Sequence, residues 1–201
     1  MRRLKTLGLM LALAFPTLLA AEDKPVNISP GVMSVQVETN AGPVEISRVQ
    51  DNDNRIEGDW ARTSRPCPNF CVQPMIPAAG VTPIGEQEVI AMLQDPAAVV
   101  VDSRVAKWYF NGTIPGAQHI PYNEVIDRLD ELGCEIDFDG WICDAAKPVA
   151  LFCNGPWCGQ SPTAIRAMVN AGYPADKIFY YRGGMQVWRI LGLTVIVPKD
   201  G

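Results

Sequence analysis

The chain has 201 residues, with 17 Lys and Arg against 22 Asp and Glu, a formal net charge of −5. That length suits one domain plus an appendage, and the acidic balance argues against nucleic acid or an anionic membrane as main partner. A single histidine leaves little to build a His-based metal site, whereas six cysteines make the redox compartment the first question.

Arg2, Arg3 and Lys5 precede an apolar run from Leu7 to Leu19, followed by Ala20-Ala21 and the polar Glu22-Asp23-Lys24. This pattern predicts a signal peptide over residues 1–21 and a mature start near Glu22, with an uncleaved anchor as the alternative. The run is short for a bilayer, and no second stretch of about 18 apolar residues follows it. Removing it leaves 14 basic against 22 acidic residues, a charge of −8. The expected product is exported, periplasmic and soluble, with no membrane partner after cleavage. In such a compartment an even cysteine count reads first as a disulfide framework. The close pairs Cys67/Cys71, Cys134/Cys143 and Cys153/Cys158 permit three local bridges, other connectivities staying open.

Residues 22–81 are rich in Pro, Gly, Asn and Asp. Val35 and Val37, then Val44 and Ile46, flank Asn40-Ala41-Gly42-Pro43, which predicts a β-hairpin. Arg65-Pro66-Cys67-Pro68-Asn69-Phe70-Cys71 is too proline-rich for helix or central strand, so an irregular cysteine-containing arm is expected.

From 82 to 201 the chain alternates helix and strand signals, the pattern of an α/β domain. Thr82-Pro83 reads as a helix cap and first turn leading into Val89, Ile90 and Leu93. Ala97–Val101 is a buried strand. Tyr122, Val125, Leu129 and Leu132 have helical spacing closed by Gly133, and residues 134–147 read as an inserted surface loop. Pro148–Phe152 is the next buried strand. Ser161-Pro162 opens a helix closed by Gly172, and Lys177–Tyr181, Gly184–Leu191 and Thr194–Val197 predict strand, helix and strand.

The chemistry concentrates between Val149 and Ala171. Cys153 follows a buried strand, where α/β sheets place their ligands. Ser161, as expected helix cap, would aim free N–H groups and the positive helix end at the loop, favouring a thiolate, a persulfide or an oxyanion. Asn154, Gly155 and Gly159 allow the backbone to form a nest of donors around the sulfur. A thiolate so activated can take up a sulfane sulfur and pass it on, with no metal or organic cofactor required.

Four segments carry a family resemblance: Val99-Val100-Val101-Asp102-Ser103-Arg104, Gly112-Thr113-Ile114-Pro115-Gly116-Ala117-Gln118-His119-Ile120-Pro121, Leu151-Phe152-Cys153, and Arg182-Gly183-Gly184-Met185-Gln186-Val187-Trp188. Over residues 82–198 the sequence resembles the rhodanese family of thiosulfate sulfurtransferases. The resemblance implies a rhodanese-like α/β fold, a parallel sheet flanked by helices, here with an N-terminal β-hairpin arm. It also implies Cys153 as persulfide nucleophile, and a small sulfur donor and a thiol acceptor, small or protein, as partners. Asn154, Gly155, Trp157, Gly159, Gln160 and Ser161 are the candidate substrate-binding residues.

The departures are specific. Thr113 stands where the family usually has histidine. Ser161 lies eight positions after Cys153, so the loop is longer than usual, and it holds no Lys or Arg. Phosphatases sharing the fold need an arginine there, which argues against phosphatase chemistry and leaves only backbone N–H groups for thiosulfate. Cys158 is a candidate resolving or protecting thiol; Pro156-Trp157-Cys158-Gly159 resembles the Trp-Cys-Gly of thioredoxin sites without their spacing. The competing reading is a non-catalytic or redox protein of the same fold, either using a Cys153/Cys158 couple or serving only to bind a partner. Asp102 and Arg104 either line the site's mouth or form a structural cap and ion pair, and His119 reads as structural.

Overall fold

The computed structural model describes residues 24–138 and 140–199, so the expected signal peptide lies outside the described residues. β1 (Ser34–Val37) and β2 (Val44–Ser47) form the expected antiparallel hairpin, Val37 opposite Val44. Its turn is held by the Thr39 hydroxyl, which donates to the Gly42 carbonyl at 2.6 Å. The hairpin is no loose appendage: Val37 and Ile46 are buried in the core of the α/β body.

After a single 3₁₀ turn at Gly58–Ala61 come β3 (Thr82–Pro83), α1 (Glu86–Gln94), β4 (Val99–Asp102), the short α2 (Ala106–Tyr109) and β5 (Gln118–His119). Here the cap reading of Thr82-Pro83 is corrected. These residues are an edge strand, where proline's missing N–H costs no ladder bond. The α1 cap is Gly85, whose N–H donates to Glu88 Oε2 at 3.0 Å. Val125–Leu132 follows as 3₁₀ turns broken at Arg128 rather than one α-helix, though Val125, Leu129 and Leu132 are buried as the spacing predicted and Gly133 ends the run. The insertion is a second hairpin, β6 (Glu135–Asp137) with β7 (Gly140–Ile142), closed by Cys134–Cys143.

The chain then enters β8 (Val149–Phe152), α3 (Gln160–Asn170), β9 (Ile178–Tyr181) and α4 (Gly184–Ile190). The expected last strand is reduced to isolated bridges, Arg48 with Leu193 and Thr113 with Ile196. The C-terminal segment instead ties the N-terminal hairpin down, with Ser47 N–H donating to Thr194 Oγ1 at 2.9 Å and Val49 N–H to the Gly192 carbonyl at 2.8 Å.

The main sheet is parallel in the order β3-β9-β8-β4-β5, with β8 in the middle. Side chains alternate across a strand, so a central strand must be apolar on both faces. In β8, Val149 and Leu151 pack with Leu129, Ile165 and Met168 on one side. Ala150 and Phe152 pack with Val89, Met185 and Trp188 on the other. That two-sided burial fixes the strand's register and so the position of the residue that leaves it, Cys153.

Candidate active site

Cys153 is the first residue beyond β8, and only 2 % of its surface is exposed. Its sulfur is joined to that of Cys158, itself 5 % exposed, and the two Cα atoms are 6.1 Å apart. The Oε1 of Gln160 lies 3.7 Å from the Cys153 sulfur and 4.0 Å from that of Cys158. Helix α3 is capped by Gly159 rather than by Ser161, which falls inside the helix and is fully buried. Pro162 is tolerated at the third helical position because first-turn N–H groups have no intrahelical acceptor anyway. The first backbone bond of this turn runs from Thr163 N–H to the Gly159 carbonyl at 3.0 Å, and the N–H groups of Gln160 and Ser161 have no acceptor among the described residues. The helix start meets the sulfurs through the Gln160 side chain, and the free donors and positive end of a first helical turn favour an anion.

The loop rests on α4. Met185 N–H donates to the Cys153 carbonyl at 3.0 Å and Gln186 N–H to the Asn154 carbonyl at 2.9 Å. This approach demands glycine at position 184: its φ is +54°, and a Cβ there would lie 2.3 Å from the Cys153 oxygen. Position 155 is equally tight, since a Cβ would meet the Gln186 side chain at 3.0 Å.

Behind the loop sits a fully buried ion pair. Arg104 Nε donates to Asp102 Oδ1 at 2.8 Å, and Nη2 to Oδ2 at 2.5 Å and to the Gly112 carbonyl at 2.8 Å. Thr113, standing where the family has histidine, donates its hydroxyl to Asp102 Oδ2 at 2.7 Å. The remaining Arg104 nitrogen donates to Asn154 Oδ1 at 3.2 Å. The pair is therefore structural, and it also anchors the loop. His119 is structural too, stacked on Tyr109 at 4.1 Å with Nε2 2.7 Å from the Arg104 carbonyl oxygen.

The irregular arm covers the loop from the other side. Gln73 N–H donates to the Pro156 carbonyl at 2.8 Å, and the Gln73 carbonyl accepts from Arg182 Nε at 2.9 Å. Phe70 meets the Trp157 ring edge to face at 5.4 Å, and the Arg65 guanidinium lies 4.0 Å over the same ring. Cys67–Cys71 closes the arm between Arg65 and Gln73. Trp157 Nε1 donates to Gln186 Oε1 at 2.5 Å, and Gln186 Nε2 to the Trp60 carbonyl at 3.1 Å. The loop thus has no cation of its own but receives one from the arm. Burial first, then the nearby charge of Arg62, pulls Arg65 below its ordinary pKa, with Asp59 opposing; the guanidinium remains a cation at neutral pH.

The rhodanese-like domain model matches residues 86–191, more than half of the chain. The chain belongs to the rhodanese-like domain family. Its sequence is 31 % identical over 112 residues to an HTH-type transcriptional regulator of Mycobacterium tuberculosis, covering 56 % of this chain and 43 % of that protein. Among solved structures it is similar to a thiosulfate sulfurtransferase from Pseudomonas aeruginosa, with 24 % identity, a TM-score of 0.46, and 60 % of this chain and 21 % of that one covered. It is also similar to a rhodanese-related protein from Thermoplasma volcanium, with 22 % identity, a TM-score of 0.43, and 58 % and 99 % covered. The chain spans less than half the length of the curated relative and about a fifth of the Pseudomonas structure.

The rhodanese-like site gathers Cys153, Asn154, Gly155, Trp157, Cys158, Gly159 and Gln160 around one pair of sulfurs, with Ser161 buried behind it. The sequence reading missed Arg65, Phe70 and Gln73 as cover, Gln186 as the bridge, and Arg104 as the loop's anchor. The Gly-Gly-Met-Gln run was the available signal for Gln186. Nothing local marked the arm as the loop's cover.

Proposed function

We propose that the protein is a sulfurtransferase that carries sulfane sulfur as a persulfide on Cys153 and passes it to a thiol or similar nucleophile. The observation that carries this reading is the placement of Cys153 at the end of the central parallel strand, with Gln160 at the start of α3 reaching its sulfur at 3.7 Å. The bridged form has no nucleophile, so the active form is the reduced one. The test is cyanolysable sulfur on pre-reduced protein exposed to thiosulfate. Cys158→Ser, which cannot close the bridge, should carry it and the double variant Cys153→Ser, Cys158→Ser should not; equal sulfur on both would overturn the assignment.

The Cys153–Cys158 bridge favours a second reading, a redox couple on the same fold. It predicts reversible oxidation of the pair with no sulfur retained in any variant. An exported, periplasmic location is part of the proposal, supported by the N-terminal pattern of basic and apolar residues and by three cysteine pairs at bridging distance. Mass analysis of the native protein should find a start near Glu22; an intact Met1 on membrane-bound protein would overturn it.

A further inference from the structure

The family site explains a nucleophile at Cys153. It does not explain a second sulfur held against the first inside a covered loop. Cys158 follows the Gly155-Pro156-Trp157 segment, which is fastened at each step. Cys158 N–H donates to the Gly155 carbonyl at 2.9 Å, Pro156 is held by Gln73, and Trp157 is held by Gln186, Phe70 and Arg65. Both cysteines are almost wholly buried and Cys158 already touches the inner sulfur, so its attack is intramolecular and precedes that of a thiol arriving from solution.

We propose that Cys158 is the thiol that resolves the persulfide: its thiolate attacks the Cys153 sulfur of the persulfide and expels the outer sulfur as hydrosulfide. This rests on the persulfide reading above and names the partner of that same site. In the step, Cys153–S–S⁻ and Cys158–SH give Cys153–S–S–Cys158 and HS⁻. The S–S bond to the outer sulfur breaks and the bond between the two cysteines forms. The sulfane sulfur gains two electrons, the cysteine pair loses two, and the Cys158 proton leaves on the hydrosulfide. Attack falls on the inner sulfur because the fold places Cys158 there, and which sulfur is attacked decides the products. The positive end of α3, whose first residue Gln160 reaches both sulfurs, favours the anionic sulfur through the step. Turnover then needs a dithiol reductant, which reopens the bridge and leaves as a disulfide. The net activity is reductive release of sulfane sulfur, and the external partner is a dithiol rather than a sulfur acceptor.

The experiment uses full-length protein reduced with dithiothreitol, freed of reductant, and exposed to thiosulfate in single turnover, whose uptake at Cys153 expels sulfite, so that hydrosulfide comes only from the Cys158 step. Hydrosulfide is read above the Cys153→Ser background, and protein mass is taken after desalting. Wild type should release roughly one hydrosulfide per chain and end oxidised with no added sulfur. Cys158→Ser and Cys158→Ala should each retain one extra sulfur atom and release hydrosulfide at background. Wild type that retains the extra sulfur as stably as the variants overturns the inference and leaves the persulfide reading standing. Oxidation of wild type without hydrosulfide overturns it as well. Folded Cys158 variants, checked by circular dichroism, that take up no sulfur overturn the persulfide reading itself.

Discussion

Two cysteine-closed segments flank the central strand, and they are held in opposite ways. Before β8, Cys134–Cys143 closes the β6–β7 hairpin, whose three residue pairs from Glu135–Ile142 to Asp137–Gly140 bond to each other. After β8, Cys153–Cys158 closes a loop with no ladder, and nearly every tie it has comes from elsewhere: α4 below, Arg104 behind, the arm above. The hairpin presents Ile136, Phe138 and Ile142 outward, whereas the loop hides its sulfurs. A bridge across a hairpin repeats what the backbone already specifies. A bridge across a loop of borrowed contacts leaves its sulfurs free to serve chemistry, because opening it need not unfold anything.

That contrast breaks most readily at the buried anchor. Arg104→Met removes the loop's link to Asn154 and leaves Asp102 charged and without its partner in the core. Losing one member of a buried pair should cost about 3–5 kcal/mol. Urea unfolding of the reduced protein checks it, and a loss below about 1 kcal/mol would mean the loop does not depend on this anchor. Gly184→Ala should come next, at about 3 kcal/mol, combining left-handed backbone with a Cβ driven into the Cys153 carbonyl. Its distinguishing readout is the loop: thiol reactivity at Cys153 should change beyond what an equally destabilising change in the core, such as Ile165→Val, produces.

These two residues also show where the sequence was legible. Strand β8, the exit of Cys153 and the helix behind it follow from a short apolar run, a cysteine and a Ser-Pro signal within a few positions. The three close cysteine pairs were visible as pairs by spacing alone. Local signals misled where two structures share them. Ser161-Pro162 marks a helix start but not which residue caps it, and Thr82-Pro83 suits an edge strand as well as a first turn. The cover was not legible at all. Gln73 meets Pro156, and Phe70 meets Trp157, across more than 80 residues of chain, and no periodicity carries a contact of that range.

The hairpin bridge sharpens the comparison from the other side. The double change Cys134→Ala, Cys143→Ala should cost about 2.5 kcal/mol in the chain-entropy account of a short closed loop. The β6–β7 pairing should survive, and sulfur uptake at Cys153 should match wild type. If uptake falls in parallel with stability, the two ends of β8 are not independent and the contrast fails.

The smallest effect lies at the hairpin's base. Glu131 accepts from Arg128 Nε at 2.6 Å and from Gln118, while its carbonyl accepts from Lys147 Nζ at 3.2 Å, so it joins β5 to the root of the insertion. The Arg128 hydrogen bond first, with its charge and the Gln118 bond, holds the Glu131 carboxyl below its ordinary value, against the opposing push of burial. A carboxylate depressed in the folded state contributes stability fully above its unfolded value, near pH 4.3, and that contribution is lost as pH falls through the lower folded value. The partners are 32 % and 35 % exposed, so solvent screening limits the effect to under about 1 kcal/mol. Glu131→Gln should therefore be slightly less stable than wild type at pH 7, and the gap should close as pH falls below about 4 and as salt rises. A gap that persists unchanged at pH 3 would show that Glu131 acts through packing or through its neutral hydrogen bonds, and that the hairpin's base, like the loop, depends on shape more than on charge.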